Sequence, residues 1–420
     1  MKKTGAAALD CDVLIVGGGA VGSALACALA ELPLDVVIVE AREAAKLEQP
    51  SFDSRTTALA LGSQRILAAL GVWPQLAASA EPIRTVHVSE RGRFGAARID
   101  AAEEGVEALG YTVPNAALGR ALWERLERAP RLRTVAPATV AELATGADGA
   151  EARVEPGGRV ARARLVVGAD GARSSARAAL GVAAAEHDYD QRALVFNCAT
   201  EAPLAGRAFE RFTKRGAIAF LPLAGERAAV IWTLPSAEAE RVLALAVDDF
   251  RAELQAAFGF RLGRIGRIGE RHSHALARVA SEELTRERAL LIGDAALRMH
   301  PIAAQGFNLG LRDVATLAEV IADEIAAARE RGAAPDPGSA AVLERYRDWR
   351  AADRGRISAF THGLVSLFGE SAPGLGLGRG LGLVAFDLLP GAKTLLARQT
   401  MGRGGRVPRL ARGLPLAASS

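Results

Sequence analysis

The sequence predicts an α/β fold, in which a Rossmann-like nucleotide-binding domain carries an inserted antiparallel β-sheet domain and is followed by a C-terminal helical segment. A strand, a glycine-rich turn and a helix near the amino terminus predict the first of these units. Two later strand–turn–helix segments, at 164–181 and 290–325, belong to the same unit. Alternating apolar and polar residues between Gln191 and Pro235 predict the antiparallel sheet.

The glycine-rich segment begins with an apolar run from Asp12 to Val16, which predicts a strand. Gly17, Gly19 and Gly22 then form GxGxxG, which permits a tight turn, close approach of a pyrophosphate and close packing of the helix. Glu40 ends the next strand, where a carboxylate binds ribose hydroxyls. The segment predicts dinucleotide binding and does not separate FAD from NAD. The alternative is a glycine-rich turn with an exposed glutamate.

The second segment, from Arg164 to Gly181, also predicts a strand, a turn and a helix. Asp170 and Gly171 form the turn, and Ser174 and Ser175 are candidates to cap the helix. An ordinary Asp-Gly turn without a ligand is the alternative for this segment taken alone.

The third segment predicts a buried strand that leads to Asp294, at the strand end where open α/β sheets bind ligands. The carboxylate of Asp294 is suited to bind a polyhydroxyl chain. Pro301 stiffens the following loop, and Gly306 lets the backbone approach a flat ligand closely. Apolar residues then recur with helical spacing, at Val314, Leu317, Ile321 and Ile325.

Length and composition indicate a globular protein with more than one lobe. The chain has 420 residues, of which 50% are hydrophobic and 24% charged. Cys11, Cys27 and Cys198 are far apart without a CxxC pair, which favours a reducing, cytoplasmic environment and argues against zinc sites and disulfides. We expect no secretory signal, because no long apolar core precedes the first strand. We also expect no spanning helix, because no window reaches roughly 18 apolar residues.

Basic residues are concentrated at the carboxyl end of the chain. From Gly363 to Ser420, seven basic and two acidic residues give +5, against +4 for the whole chain, so the remainder sums to −1. A neutral body argues against nucleic-acid binding. The basic segment is open to three interpretations: peripheral contact with the inner face of a membrane, docking to a biosynthetic complex, or a solvated terminus.

The three segments "DVLIVGGGAVGSALACALAELPLDVVIVE", "RLVVGADGARSSARAALG" and "LLIGDAALRMHPIAAQGFNLGLRD", in this order, resemble the FAD-dependent aromatic-ring monooxygenases, which include the para-hydroxybenzoate hydroxylases. The resemblance covers nearly the whole chain. It is closest to the ubiquinone-biosynthesis hydroxylases, because of "DSRTTALALGSQRILAALGVW", "NAALGRALWERL" and "HPIAAQGFNLGLRDV".

The resemblance implies roles for particular residues. The ADP half of FAD would be held by Gly17, Gly19, Gly22 and Glu40. Arg55 would lie near the flavin and Arg120 near the pyrophosphate, while Asp170 would serve both FAD and the nicotinamide donor. Asp294 would bind the ribitol, and the flavin ring would be bordered by the loop with Pro301, Gln305, Gly306, Phe307 and Asn308. The backbone at Pro301 and Gly306 would form the catalytic surface. The chain departs from the common pattern at Leu297, where many relatives have His, and at Ala304, where Gly is usual.

The resemblance also implies a division of the chain. The FAD-binding domain would comprise 1–75, 101–181 and 286–355, the substrate domain 76–100 and 182–285, and the basic helical segment 356–420. The inserted sheet would roof the flavin and contact an aromatic ring, although an ordinary sheet core would have the same composition.

The implied reaction is hydroxylation of a phenolic, polyprenylated ring in ubiquinone biosynthesis, with FAD, NAD(P)H and O2, through a flavin hydroperoxide. Two alternatives remain: a flavin oxidoreductase that acts on a lipid without oxygen insertion, and a flavin-bound subunit without catalytic activity. We expect no metal site, since the pair His272 and His274 lacks companion ligands and is interpreted as surface or helix-cap residues. His300 is interpreted as structural. None of Tyr111, Tyr189 and Tyr346 is marked as a proton acceptor.

Overall fold

A computed structural model describes residues 8–43, 56–299, 305–369 and 390–416. Its strands, in chain order, are β1 (Leu9–Val16), β2 (Val36–Val39), β3 (Thr56–Ala60), β4 (Glu81–Ile83), β5 (Thr85–Glu90), β6 (Ala96–Asp100), β7 (Gly110–Pro114), β8 (Leu132–Val135), β9 (Thr139–Gly146), β10 (Gly149–Glu155), β11 (Arg159–Gly168), β12 (Ala184–Thr200), β13 (Arg207–Thr213), β14 (Gly216–Leu223), β15 (Arg227–Pro235), β16 (Ile265–Ile268), β17 (His272–Ser281), β18 (Thr285–Arg286), β19 (Ala289–Leu291) and β20 (Leu297–Arg298). The α-helices are α1 (Ala20–Leu29), α2 (Leu61–Ala69), α3 (Trp73–Leu76), α4 (Asn115–Glu127), α5 (Ser175–Ala179), α6 (Ser236–Leu243), α7 (Val247–Phe258), α8 (Gln305–Glu330), α9 (Ala340–Gly369) and α10 (Pro390–Thr400).

The nucleotide-binding domain is built on a sheet with the order β18-β19-β11-β1-β2-β8. Strand β1 pairs in parallel with β11 and β2, and β11 pairs in parallel with β19. The strands of the three predicted segments are therefore neighbours at the centre of one sheet. Because parallel strands end at the same edge, the turns that follow them converge there.

Helix α1 is buried on all sides from Gly22 to Leu29 rather than along one stripe. It lies between the parallel sheet and the helices α4 and α8, and the Cys27 thiol donates a hydrogen bond to the carbonyl oxygen of Leu122 on α4. Most residues of this helix are alanine, glycine, serine or cysteine, and these small side chains let its neighbours approach closely.

The inserted sheet has nine strands and the main order β20-β17-β12-β15-β14-β13-β5-β6. The four strands predicted between 192 and 235 are present as β12 to β15, and they pair antiparallel in the order β12-β15-β14-β13. The sheet is not wholly antiparallel, because β13 pairs in parallel with β5. Strands β5 and β6, from the segment 76–100, thus extend the sheet formed by 182–285.

The two faces of this sheet have different environments. The outer face, which includes Phe220 and Trp232, packs against α6 and α7. The inner face, which includes Ala208 and Ala229, packs against Ile83 of the small sheet β3-β7-β4. This small sheet joins the inserted sheet to the nucleotide-binding domain.

The C-terminal segment packs on the nucleotide-binding domain. The expected boundary at 356 lies inside α9, so the helix continues across it. Ala397 and Met401 of the α10 region are buried against Leu61 and Ile99. Among the described residues, no helix is both long enough and apolar enough to cross a bilayer.

Candidate active site

The glycines of the first motif have distinct structural roles. Gly17 has φ +106°, and a Cβ there would lie 2.7 Å from the carbonyl oxygen of Ala169 in the second motif. A Cβ on Gly22 would lie 1.9 Å from the Gly17 carbonyl oxygen, so this glycine lets α1 lie against the turn. A Cβ on Gly19 would meet nothing within 4 Å. The space above Gly19, at the amino-terminal end of α1, is therefore open to a ligand.

Glu40 closes the same turn. One carboxylate oxygen accepts a hydrogen bond from the Gly18 amide at 2.6 Å, and the other accepts one from the Arg42 amide at 2.9 Å. Glu40 is buried. Since each carboxylate oxygen has a second lone pair, Glu40 can still accept a hydrogen bond from a ribose hydroxyl.

In the second motif, Asp170 directs its carboxylate into its own turn. It accepts hydrogen bonds from the Ser174 hydroxyl at 2.5 Å, the Ser175 hydroxyl at 2.9 Å and the Ala176 amide at 3.0 Å. Ser174 caps α5 as predicted, by accepting from the Arg177 amide. Ser175 instead donates to Asp170. The Asp170 carboxylate therefore shapes the turn that faces Gly17.

Sequence reasoning missed Arg177, which joins the second motif to the third. Its buried guanidinium donates to the carbonyl oxygen of Ala172 at 2.8 Å and to that of Ala295, next to Asp294, at 3.0 Å. The hydroxyl of Ser281 also donates to the Ala295 carbonyl oxygen, at 2.9 Å. One arginine among several in this segment gives no periodic signal, so a sequence cannot single it out.

Asp294 lies on a single 3-10 turn directly after β19. The preceding Gly293 has φ +57°, and its amide donates to the Asp313 carboxylate on α8 at 2.9 Å. The side chain of Asp294 is accessible, yet protein atoms surround the carboxyl group, and this desolvation raises its pKa while Arg298 lowers it. A carboxyl group that is accessible and yet surrounded by protein atoms is typical of a recess that binds a polar ligand.

The start of α8 differs from the expected loop. Residues 305–308 form the first turn of the helix. The Asn308 side chain accepts from the Ala60 amide at 2.8 Å and donates to the Ala58 carbonyl oxygen at 3.0 Å, which fixes β3 beside this turn. Phe307 packs on the main core, and a Cβ on Gly306 would meet nothing within 4 Å. The helix terminus therefore presents open backbone at Gly306.

The first and third motifs are in direct contact. A Cβ on Gly310 of α8 would lie 2.7 Å from the side chain of Val21 on α1, and one on Gly293 would lie 3.2 Å from the same side chain. Together with the approach of Gly17 to Ala169, this contact places all three motifs at one edge of the parallel sheet.

Arg55 and Pro301 lie outside the described residues, as does His300, and the Gln305 side chain is not described. Arg120 is exposed on α4.

The helix-cap alternative for His272 and His274 is wrong, because both residues lie on a strand. Both are half-buried on β17. Tyr346 is fully buried beside Arg350, and burial raises its pKa. Tyr111 packs edge-to-face on Trp73, and burial also raises its pKa.

The cysteine side chains are poor nucleophiles. Burial raises the pKa of Cys11, Cys27 and Cys198 to about 12 in each case, so the thiols stay protonated at neutral pH.

The described residues fit a long, anionic dinucleotide. Open space at Gly19 suits a pyrophosphate, Glu40 suits an adenosine ribose, and the recess at Asp294 suits a polyol. Two further features adjoin the small sheet β3-β7-β4. The inner face of the nine-stranded sheet packs against it, and the start of α8, with open backbone at Gly306, is hydrogen-bonded to β3.

Comparison with known proteins agrees with this geometry. A family model described as FAD binding domain matches residues 10–349. Ubiquinone hydroxylase UbiL of Rhodospirillum rubrum is 39% identical over 416 residues, which cover 98% of this chain and 95% of the relative. The chain belongs to the FAD-dependent aromatic-ring monooxygenases.

A second relative of this monooxygenase is the 3-demethoxyubiquinol 3-hydroxylase of Escherichia coli, which is 33% identical over 90% of this chain and 94% of the relative. The crystal structure of p-nitrophenol 4-monooxygenase PnpA from Pseudomonas putida DLL-E4 superimposes with a TM-score of 0.76, covering 95% of this chain and 100% of that chain at 20% identity. The monooxygenase therefore binds FAD on the fold that the sequence predicts.

Proposed function

We propose that this monooxygenase hydroxylates a phenolic, polyprenylated ring in ubiquinone biosynthesis, with O2 as oxygen donor and NAD(P)H as reductant. The observation that carries the proposal is its likeness to the ubiquinone hydroxylase of Rhodospirillum rubrum along nearly the whole length of both chains. The inner face of the nine-stranded sheet supports it, because aliphatic residues predominate there and suit an oily ring.

The residues of this chain have separate tasks in the proposed reaction. When bound, FAD supplies the activation of O2 with electrons taken from NAD(P)H. Gly19 and Glu40 hold the adenosine diphosphate half, and Asp294 binds the ribitol. The amides in the first turn of α8 would stabilise negative charge on the ring system. The inner face of the sheet positions the phenol and excludes water.

The test is product analysis. Purified protein is supplied with FAD, NADH or NADPH, isotopically labelled O2 and a short prenylated phenol such as 2-geranylphenol. We expect a product that is heavier by one labelled oxygen atom. Oxidation of the nicotinamide with no labelled oxygen in any product would contradict the proposal and favour an oxidoreductase that inserts no oxygen.

We also propose that the C-terminal segment contacts an anionic membrane surface, from which a prenylated ring would be taken up. Some of its basic groups are used internally, since Lys393 pairs with Glu103 at 3.0 Å and Arg409 pairs with Glu319 at 3.6 Å. Others are exposed, as is Leu395 at 73%. Of the four exposed arginines described in this segment, Arg406 stacks its guanidinium on the Trp349 ring at 3.6 Å. The other three, Arg398, Arg403 and Arg412, are the candidates for membrane contact.

Substitution of these three arginines by glutamine tests the membrane contact without removing buried Ala397 and Met401. Each basic residue near an anionic surface is worth about 1 kcal/mol, so we expect roughly 10²-fold weaker binding to vesicles that contain phosphatidylserine. The control replaces three exposed arginines elsewhere, Arg131, Arg267 and Arg329. Equal vesicle binding by both variants would contradict the proposal.

A further inference from the structure

A row of directly paired residues crosses the inner face of the nine-stranded sheet. From β5 to β12 it comprises Val88, Glu210, Ala219, Ile231 and Val195. All five are half-buried. Glu210 is the one charged residue in this row, and its four companions are aliphatic. Among aliphatic neighbours, an ionised carboxylate has an unfavourable desolvation free energy unless a partner forms a hydrogen bond or ion pair with it.

The direction of the Glu210 side chain follows from its neighbours on β13. Side chains alternate along a strand, and Phe209 belongs to the core beneath α6 and α7 on the outer face. Ala208, two residues before Glu210, packs against Ile83 and Ala58 on the inner face. Glu210 therefore lies on the inner face, roughly 7 Å further along the strand from that contact.

The position along the sheet points toward the cofactor site. Moving along β13 from Ala208 to Glu210 corresponds to moving along β12 toward its start at Ala184, because the intervening strands are antiparallel. Ala184 pairs with Ser281, whose amide and hydroxyl bond to the segment just after Asp294. Glu210 therefore lies on the inner face between two contacts with the nucleotide-binding domain. One is the contact with β3, which Asn308 holds at the start of α8. The other is the end of the sheet where Ser281 bonds to the segment after Asp294.

The carboxyl group of Glu210 makes no hydrogen bond or ion pair within the part of the chain that the structure describes. Burial alone raises its pKa to about 7. On the same face, Glu90 pairs with Arg93 at 2.9 Å, and His272 and His274 lie four strands away, roughly 19 Å. Arg211 and Arg261 belong to the outer face, where Arg261 contacts His87.

We propose that Glu210 accepts the proton of the substrate's phenolic hydroxyl group. The inference rests on the proposed function, since it requires a phenolic ring beneath the sheet. The O–H bond of the phenol breaks, the proton bonds to a carboxylate oxygen of Glu210, and the electron pair stays on the phenolate oxygen. A phenolate is more electron-rich than a phenol at its ring carbons, so the ring becomes a better acceptor of an electrophilic oxygen atom.

The pH profile of Glu210→Gln tests the assignment, because the substitution preserves shape and removes the proton acceptor. For the parent, kcat/KM for hydroxylation of 2-geranylphenol should rise about tenfold per pH unit up to about pH 7 and then level off. The variant should lose this limb and be about 10²-fold slower at higher pH. The matched control is Glu226→Gln, an exposed glutamate in the turn after β14, which should keep the parent profile. A variant that retains both rate and limb would overturn the proposal.

Binding gives a second measurement that does not depend on turnover. The visible spectrum of bound FAD reports binding of 2-geranylphenol and of its methyl ether at about pH 6 and about pH 8. We expect the phenol, and not the ether, to bind more tightly at the higher pH, and Glu210→Gln to abolish this difference. The same pH dependence in parent and variant would refute the role of Glu210. Binding as expected without a hydroxylated product would instead count against the proposed function.

Discussion

At the residue scale, substitutions of Gly19 and Gly22 should affect different properties, FAD binding in one case and stability in the other. Ala at position 19 meets no atom of the protein, and the backbone there has φ −64°, which any residue adopts. Gly19→Ala should therefore leave the thermal stability of the apoprotein unchanged and weaken FAD binding, because the methyl group occupies the space of the pyrophosphate. Gly22→Ala should lower the stability itself, since its Cβ would lie 1.9 Å from the Gly17 carbonyl oxygen.

Both glycine variants are measured by thermal unfolding of the apoprotein and by FAD titration. Gly105→Ala is unsuitable as a control because of its positive φ, whereas Gly146 has open space and an ordinary φ. Gly146→Ala should change neither property. Unchanged FAD affinity in Gly19→Ala would show that the pyrophosphate lies elsewhere.

We predict that Asp294 affects both FAD binding and the pH dependence of stability. Removal of its carboxylate in Asp294→Ala should weaken FAD binding by about 1.5–3 kcal/mol, because a ribitol hydroxyl loses a charged acceptor. Asp148→Ala, at an exposed aspartate in the β9–β10 turn, is the control. Equal FAD content in the purified proteins would contradict the placement of the ribitol.

The raised pKa of Asp294 predicts a second effect of opposite sign. A carboxyl group with a raised pKa stabilises the folded apoprotein fully below its ordinary value of 3.8 and loses this contribution as pH rises through the folded value. Asp294→Asn should therefore be more stable than the parent apoprotein at neutral pH, and the difference should vanish below about pH 3.8. Denaturant unfolding across this range measures it, and an identical difference at both ends would exclude Asp294 as its source.

At this scale, the sequence predicted the residues that stand at a fixed spacing from a strand. It did not predict the residues whose roles depend on contacts with distant parts of the chain. Gly17, Gly22 and Asp294 follow from spacing relative to strands. The hydrogen bonds of Arg177 to the Ala295 carbonyl and of Asn308 to β3 join residues far apart in the chain, so no local pattern predicts them. Glu210 was missed because a charged residue in an alternating strand normally faces solvent.

At the scale of elements, a buried charge network holds α8 to α9. Arg350 is fully buried and donates to Asp313 at 2.6 Å and to Asp353 at 2.5 Å, while Arg312 donates to Asp353. Asp313 in turn accepts from the Gly293 amide. The network therefore fixes the turn that presents Asp294.

Arg350→Met should lower the free energy of unfolding by about 3–5 kcal/mol, because two buried carboxylates lose their shared partner. Arg345 lies on α9, as Arg350 does, and forms a more exposed ion pair with Asp323 of α8. Arg345→Met should cost less than about 1 kcal/mol. Urea unfolding compares the two variants. Similar losses in both would mean that the buried network contributes no more than a surface pair.

The element predictions from the sequence were accurate where periodicity was strong and inaccurate at termini. Strands β12 to β15 match the predicted alternation, whereas the start of α8 was expected in the loop that borders the flavin ring. Gly306 and Asn308 are poor helix formers. Asn308 is tolerated there because its side chain bonds to β3. The parallel pairing of β13 with β5 joins segments more than 100 residues apart, which local pattern cannot specify.

At the scale of the whole molecule, two sheets border the region in which we propose that the ligands bind. The parallel sheet brings the three motifs to one edge, and the nine-stranded sheet presents its inner face above the small sheet β3-β7-β4. The order of the three motifs along the sequence does not by itself predict this arrangement of the sheets. The prediction also required the family resemblance. The contacts that hold the C-terminal segment to the core, such as Arg312 with the Gly402 and Gly404 carbonyl oxygens, could not be inferred from its composition.

The most direct test of the three-motif site is the flavin content of the purified protein, read from its visible absorbance and from the mass of the released cofactor. The structure predicts one FAD per chain, released on denaturation and regained when the apoprotein is mixed with FAD. A colourless protein that takes up no FAD would contradict the convergence of the three motifs on a single cofactor.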